Sequence, residues 1–114
     1  MKYLSIFILM MIILSGCSDN KPEDLINKDN MTRILIEMHI AEAKVNTLGL
    51  SSDSTDVLID LITERVLNQF GYTEDEYLTS YNYYMRDVRL MEQLYGRVVD
   101  SLSLREEISS NTYK

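Results

Sequence analysis

Thr73-Glu74-Asp75-Glu76-Tyr77-Leu78-Thr79-Ser80-Tyr81-Asn82-Tyr83-Tyr84, or TEDEYLTSYNYY, is the stretch whose reading decides the fold. A threonine followed three residues later by a glutamate is a capping box. The Thr73 side chain can take the Glu76 backbone N–H, and the Glu76 carboxylate can reach back to the Thr73 N–H. A helix therefore starts here. From Tyr77 a regular apolar series continues through Tyr81, Tyr84, Val88, Met91, Tyr95, Val98 and Leu102, with steps that alternate four and three. That spacing keeps one face of a helix apolar. It fits either one long helix with a coiled-coil-like seam or two helices broken near Arg86-Asp87, where Asp87 would cap the second.

Outward from this stretch the same period recurs. Met31, Ile34, Leu35, Met38, Ala41, Val45 and Leu48 form one stripe, which predicts a helix from about Asn30 to about Leu48, stopped by Gly49. Asn27-Lys28-Asp29-Asn30 offers several N-caps for it. After Ser51-Ser52-Asp53-Ser54, a second helix is expected from near Thr55 to just before Gly71. Leu58, Leu61, Ile62, Val66 and Phe70 make its main stripe, and Val57, Ile59 and Leu67 widen it, which predicts burial on more than one side. Residues after Ile108 read as a frayed tail. No segment alternates with the period of a strand. The expected fold is all-α, a small bundle of three to four helices packed antiparallel or orthogonally, with the helical domain at 29–108 and a flexible tail at 109–114.

The first residues follow a different grammar. Met1-Lys2 is a short basic start, and Tyr3 to Leu14 is apolar except for Ser5. A membrane span needs about 20 apolar residues, so this run is too short to cross. A basic start, a short apolar core and then small residues make the plan of a secretory signal peptide. Ser15-Gly16 supplies the small residues, and Cys17, the single cysteine of the chain, follows them. One thiol makes no intramolecular disulfide framework. One Cys and one His far apart in sequence make no metal cluster. The polar run Ser18-Asp19-Asn20-Lys21 argues against a core role for Cys17. Leu14-Ser15-Gly16-Cys17 resembles the bacterial lipobox, and that resemblance implies a diacylglyceryl thioether on Cys17 with cleavage just before it. The expected order is a lipoprotein signal peptide at 1–16, then a lipidated N-terminus and tether at 17–28. Acyl chains hold at about 0.8 kcal/mol per buried methylene, so two or more anchor stably. Within the tether, Pro22 can open a single helical turn with Leu25-Ile26 folded inward.

Charge narrows the function. The 114-residue chain carries a formal net charge of −7, and loss of residues 1–16 removes Lys2 and moves it to −8. Nucleic-acid recognition rests on clustered Lys and Arg, so nucleic acid is excluded as a partner class. Anionic lipid would repel the chain, which leaves the lipid on Cys17 to hold it to the membrane.

Several pieces together resemble a family. They are Pro22 with Leu25-Ile26, the run Ile34-Leu35-Ile36-Glu37-Met38-His39-Ile40-Ala41-Glu42-Ala43, Phe70-Gly71-Tyr72-Thr73, and Tyr77 with Ser80 and Tyr83-Tyr84. Over most of residues 22–104 the chain is similar to the small Bacteroidota lipoproteins grouped as domain of unknown function 4296. The resemblance implies location and fold, since no activity is assigned to that group. Such proteins usually carry a proline soon after the tyrosine pair; here Met85-Arg86-Asp87 stands instead. Lipoproteins of that phylum can reach the cell surface when Ser and a run of acids follow the Cys. Here Asn20-Lys21 interrupts Ser18-Asp19, and the expectation is the outer membrane with the domain on the periplasmic side.

Few residues invite a chemical role. His39 and Glu42 share a helix flank at i,i+3, but a metal or acid–base site would want further ligands. No nucleophile elbow or phosphate loop is present. Asp60 with Glu64 and Glu76 with Ser80 sit one turn apart and read as solvated faces. No pattern points to a cofactor or a metal, and the expectation is a protein without catalytic residues. The tyrosines are the exception. Tyr77, Tyr81, Tyr83, Tyr84 and Tyr95 fall in one short region, where rings fill a seam or form a recognition surface. Tyr83 lies off the stripe of the others, so either a second element or a partner covers it. Tyr77, Tyr81, Tyr83 and Tyr84 are the candidate binding residues. The expected function is a non-enzymatic helical module that binds another envelope protein, with small-ligand or glycan binding through the same tyrosines as the alternative.

Overall fold

The computed structural model describes Tyr3 and residues 20–114. The expected signal peptide (Tyr3 apart) and Cys17 lie outside the described residues. Four helices follow one another: α1 Lys28–Asn46, α2 Ser52–Phe70, α3 Glu74–Arg86 and α4 Val88–Thr112. There is no strand among the described residues, and the fold is a small all-α bundle.

Local chemistry explains each boundary. Asn27 is the N-cap of α1, its side chain accepting from the Asn30 N–H, with Asp29 in the first turn and Lys44 in the last. α2 starts at Ser52, earlier than the expected Thr55, because Ser51 is its N-cap and Thr55 Oγ1 donates back to the Ser51 carbonyl at 3.0 Å. It ends where Gly71 turns left-handed at φ 76° and the Tyr72 N–H reaches the Leu67 carbonyl at 3.1 Å. The capping box of α3 forms as read: Thr73 N–H donates to Glu76 Oε2 at 2.7 Å, and Glu76 N–H donates to Thr73 Oγ1 at 3.2 Å. Asp87 breaks the long series into two helices. It is extended at φ −109° and ψ 111°, and its carboxylate accepts from the Arg89 and Leu90 N–H groups. Beyond the expected end near Ile108, α4 stays helical to Thr112, with every residue from 109 on exposed.

α1 is the central helix. Met31, Ile34, Leu35, Ile36 and Met38 meet Val66 and Leu67 of α2, Tyr84 of α3, and Leu94 and Val98 of α4 in one core cluster. The direction of packing can be read from side-chain pairs. Asn30 Nδ2 donates to the Tyr72 hydroxyl at 2.8 Å, which brings the start of α1 to the end of α2, so these two are antiparallel. Arg97 pairs with Asp29, and Arg105 pairs with Glu37 at 3.2 Å. Both partners advance by eight residues, so α1 and α4 run in the same direction, a departure from the expected antiparallel or orthogonal packing.

Five expectations need correction. Ile26 folds inward as expected, but as a full member of the core cluster at 1% exposure, so the core reaches back before residue 29, the expected start of the helical domain. Residues 23–24 make only a turn, not a helical one. Leu48 is 59% exposed at the far end of α1. In α2 only Val66 and Leu67 are buried, and Val57 and Leu61 stand in solvent, because α2 packs mainly on α1 and barely touches α3, which packs on α4 instead. The seam expected through Val88 and Met91 is also shifted. The extended Asp87 rotates α4 so that Leu90, Leu94, Val98 and Leu102 face inward, leaving Val88 76% exposed.

Candidate functional site

The tyrosines separate into two groups with different surroundings. The first closes over the entry to the domain. Ser80, fully buried on α3, accepts the Ile26 N–H on its hydroxyl at 2.9 Å. One turn further on, the Tyr84 hydroxyl donates to the Ile26 carbonyl at 2.8 Å. Two side chains of one helix thus satisfy both backbone polar groups of a buried residue that lies outside any helix, which is what burial demands. Tyr83 meets Tyr84 edge-on, ring centroids 5.5 Å apart at 81°. It is half-buried against the core, so part of the ring is covered from within the chain. Burial raises the Tyr84 phenol above its ordinary value, with the neighbouring Tyr83 adding to the effect.

The second group joins three helices. Tyr77 and Tyr81 are one turn apart on α3, with ring centroids 5.9 Å apart. The Tyr81 and Tyr95 hydroxyls stand 3.5 Å apart, and either can donate. The His39 ring of α1 lies 6.3 Å from the Tyr95 ring, and His39 Nδ1 is 3.4 Å from Glu42 Oε2. Burial pushes the Tyr77 phenol up to about 12, with the Tyr81 and Glu42 charges reinforcing it. The hydrogen bond to Tyr81 does the same for Tyr95, also to about 12, with burial second. These phenols stay neutral through the physiological range and act as packing and hydrogen-bonding groups there. His39 and Glu42, read in the sequence as a flank pair, are indeed adjacent. Among the described residues no group of three or more His, Cys, Asp or Glu is placed to hold a metal ion.

Of the candidate binding residues, Tyr77 and Tyr81 come together, Tyr83 and Tyr84 come together, and Tyr84 is committed to the core. Sequence reading missed the pairing of Ser80 with Ile26. The signal was present, since Ser80 lies on the same face as Tyr77, Tyr81 and Tyr84 and a small polar residue there calls for a backbone partner.

The clefts lie elsewhere. One, of about 330 Å³, runs along the outside of α2 from Asp60 and Leu61 to Tyr72 and Glu74. A second, of about 470 Å³, adjoins it through Leu61, Glu64 and Asn68. A third, of about 550 Å³, lies where α1, the end of α2 and α4 meet, and there the Arg33 guanidinium rides 5.2 Å above the Phe70 ring. No described helix is long and apolar enough to cross a membrane.

No match is found among curated proteins or among solved structures. A family profile described as Domain of unknown function (DUF4296) matches residues 22–108. The match begins at Pro22, four residues before the buried Ile26, and ends within α4, so it spans all four helices and the strap before them. The chain therefore belongs to the DUF4296 family.

Proposed function

We propose that this protein is a non-enzymatic helical module of the cell envelope, tied to the outer membrane through lipid on Cys17, that faces the periplasm and binds another envelope protein. One observation carries the binding reading. Large apolar side chains stand in solvent while the polar groups of the tyrosine region are turned inward. Leu48, Leu50, Val57 and Leu61 are exposed around the α1–α2 turn and along α2. Exposed apolar area of this kind marks interaction surfaces. Support for the anchor comes from the lipobox-like Leu14-Ser15-Gly16-Cys17 after a short apolar run.

The test is crosslinking in the native envelope from photoreactive residues placed at positions 57 and 83, followed by identification of what is caught. A defined envelope protein crosslinked from either position is the expected result; none from both defeats the reading. For the anchor, Cys17→Ala is expected to abolish incorporation of labelled fatty acid and to leave precursor or soluble protein. Normal membrane retention of that variant without its signal segment would defeat it.

The half-buried ring pair of Tyr77 and Tyr81 favours a second reading, recognition of a small ligand or glycan by Tyr77, Tyr81 and Tyr83, with the buried Tyr84 backing Tyr83. Titration with envelope glycan fragments, followed by tyrosine fluorescence, separates the two. A flat response leaves the protein-partner reading ahead.

A further inference from the structure

The outer face of α2 has an apolar ridge and an excess of acidic charge side by side. Val57 and Leu61 lie one turn apart, 61% and 58% exposed. The two adjoining clefts share Leu61, Glu64 and Asn68, with Leu67 forming part of the floor. Asp60, Glu64 and Glu74 stand along the first cleft, and Arg65 lines the second. Among the described residues none of the three carboxylates makes an ion pair within the chain. The carboxylates facing α4 behave differently: Asp29 and Glu37 are each matched by an arginine. Beside the ridge of Val57 and Leu61 three unpaired carboxylates thus face one arginine, and the local charge is acidic.

We propose that this groove docks a basic amphipathic segment of a partner protein, with Lys or Arg facing Asp60, Glu64 and Glu74 and apolar side chains covering Val57 and Leu61. The proposal rests on the reading of the chain as a protein-binding module and names the surface and the partner's chemistry. Charge complementarity selects this occupant. A second copy using the same face would set Asp60 and Glu64 against their equivalents, since a two-fold contact is self-complementary and like charges oppose it. An anionic membrane surface is repelled for the same reason. An amphipathic helix laid in a groove, anchored by residues at i, i+3, i+4 and i+7, satisfies both the ridge and the acids.

Every member of the core cluster lies between Leu25 and Leu102, so residues 18–114 without the acylated cysteine keep the whole described core and serve for a soluble assay. The probe is a synthetic amphipathic helix with Leu on one face and Lys on the other, alongside a twin with Glu for every Lys. Binding is followed by methyl chemical shifts and by anisotropy of the labelled peptide. The Lys peptide is expected to shift Leu61 and Leu67 and to bind at least tenfold tighter than its Glu twin. Each of Asp60→Asn and Glu64→Gln should weaken it about two- to fivefold, in line with exposed charge pairs. Leu61→Ser should weaken it about tenfold, the loss expected for one apolar anchor. Asp100→Asn, on α4, should change nothing.

Equal affinity for the two peptides, or affinity untouched by the groove variants, overturns the proposal, because the attraction is then merely that of an acidic chain for a basic peptide. Shifts at Leu61 that grow with protein concentration in the absence of peptide also overturn it, since a second copy is then the occupant. If the peptide fails while envelope crosslinking from position 83 catches a protein, the groove assignment falls and the module reading stands.

Discussion

The Tyr84 hydroxyl and the Ile26 carbonyl are joined by a buried hydrogen bond of 2.8 Å across 58 residues of chain. With Ser80 accepting the Ile26 N–H, it makes the segment before α1 a strap across α3. Any pull on the chain before Ile26 would therefore reach the core at that residue, where α3 holds it.

Removing either partner of the strap should cost stability well above a surface change. Tyr84→Phe leaves the Ile26 carbonyl buried without a donor, and Ser80→Ala leaves its N–H without an acceptor; each should lose about 1–3 kcal/mol. Ile26→Ala removes a fully buried side chain and should lose about 2–4 kcal/mol. Urea unfolding of residues 18–114, monitored by helical circular dichroism, checks all three. A loss below about 0.5 kcal/mol for Tyr84→Phe, the range of ordinary surface substitutions, would mean that water or a neighbour replaces the phenol.

Local signals in the sequence were sufficient for the helices and insufficient for their faces. Thr73 and Glu76 interact across three residues, so the capping box could be read directly, and the same holds for the left-handed stop at Gly71. Burial is a different matter. Leu61 and Val66 belong to one apolar pattern, but whether each is covered depends on which other helix lies against that side, which the pattern of α2 does not contain. Val88 and Met91 continue the series of Tyr77 and Tyr84 without a fault, yet one extended residue, Asp87, turns them outward. That Ile26 folds inward is legible in the sequence; that Ser80 and Tyr84, more than fifty positions away, receive it is not. Of the candidate site, the tyrosines were legible by composition. Their division into a strap group and a group around Tyr95 needed three dimensions.

Alkaline titration should resolve the two tyrosine populations. Tyr77 and Tyr95 have phenols raised to about 12, against an ordinary value of 10.0. In the folded protein these two keep their protons when unfolded tyrosines have lost them. The unfolded state then binds fewer protons, so stability is fully present below pH 10 and falls as pH rises from there towards 12. Phenolate absorbance should show at least two phenols ionising well above the ordinary value. Tyr81→Phe should bring the Tyr95 transition down, since the Tyr81 hydrogen bond is the first cause of its shift. A single transition for all tyrosines at the ordinary value would refute the cluster around Tyr95.

The two sharp turns of the chain should respond differently to substitution. Asp87→Ala removes the cap of α4 and should cost about 1 kcal/mol. Gly71→Ala must hold an L side chain at φ 76°, with nothing near enough to clash with its Cβ, so the penalty is backbone strain alone. That strain should cost about 1–2 kcal/mol. Thermal unfolding of the two variants and of their double mutant is expected to give additive losses, because the caps share no partner. Strong non-additivity would show that the α2–α3 and α3–α4 corners move together.

Two leucines of α2 offer the sharpest check on which face of that helix is covered. Leu61 stands in solvent, and Leu67, less than two turns on, is 2% exposed. Leu67→Ala deletes buried methyl groups and leaves a cavity, so it should cost about 2–4 kcal/mol. Leu61→Ser removes apolar surface that water already reaches and should change stability by no more than about 0.5 kcal/mol. Chemical denaturation of the two single variants measures both, with equal slopes confirming that neither alters the extent of unfolding. A Leu61→Ser loss approaching that of Leu67→Ala would mean that Leu61 is covered in solution. Repeating the measurement over a hundredfold range of protein concentration would then identify the cover: a loss that grows with concentration places a second copy on α2, and a constant loss places part of the same chain there.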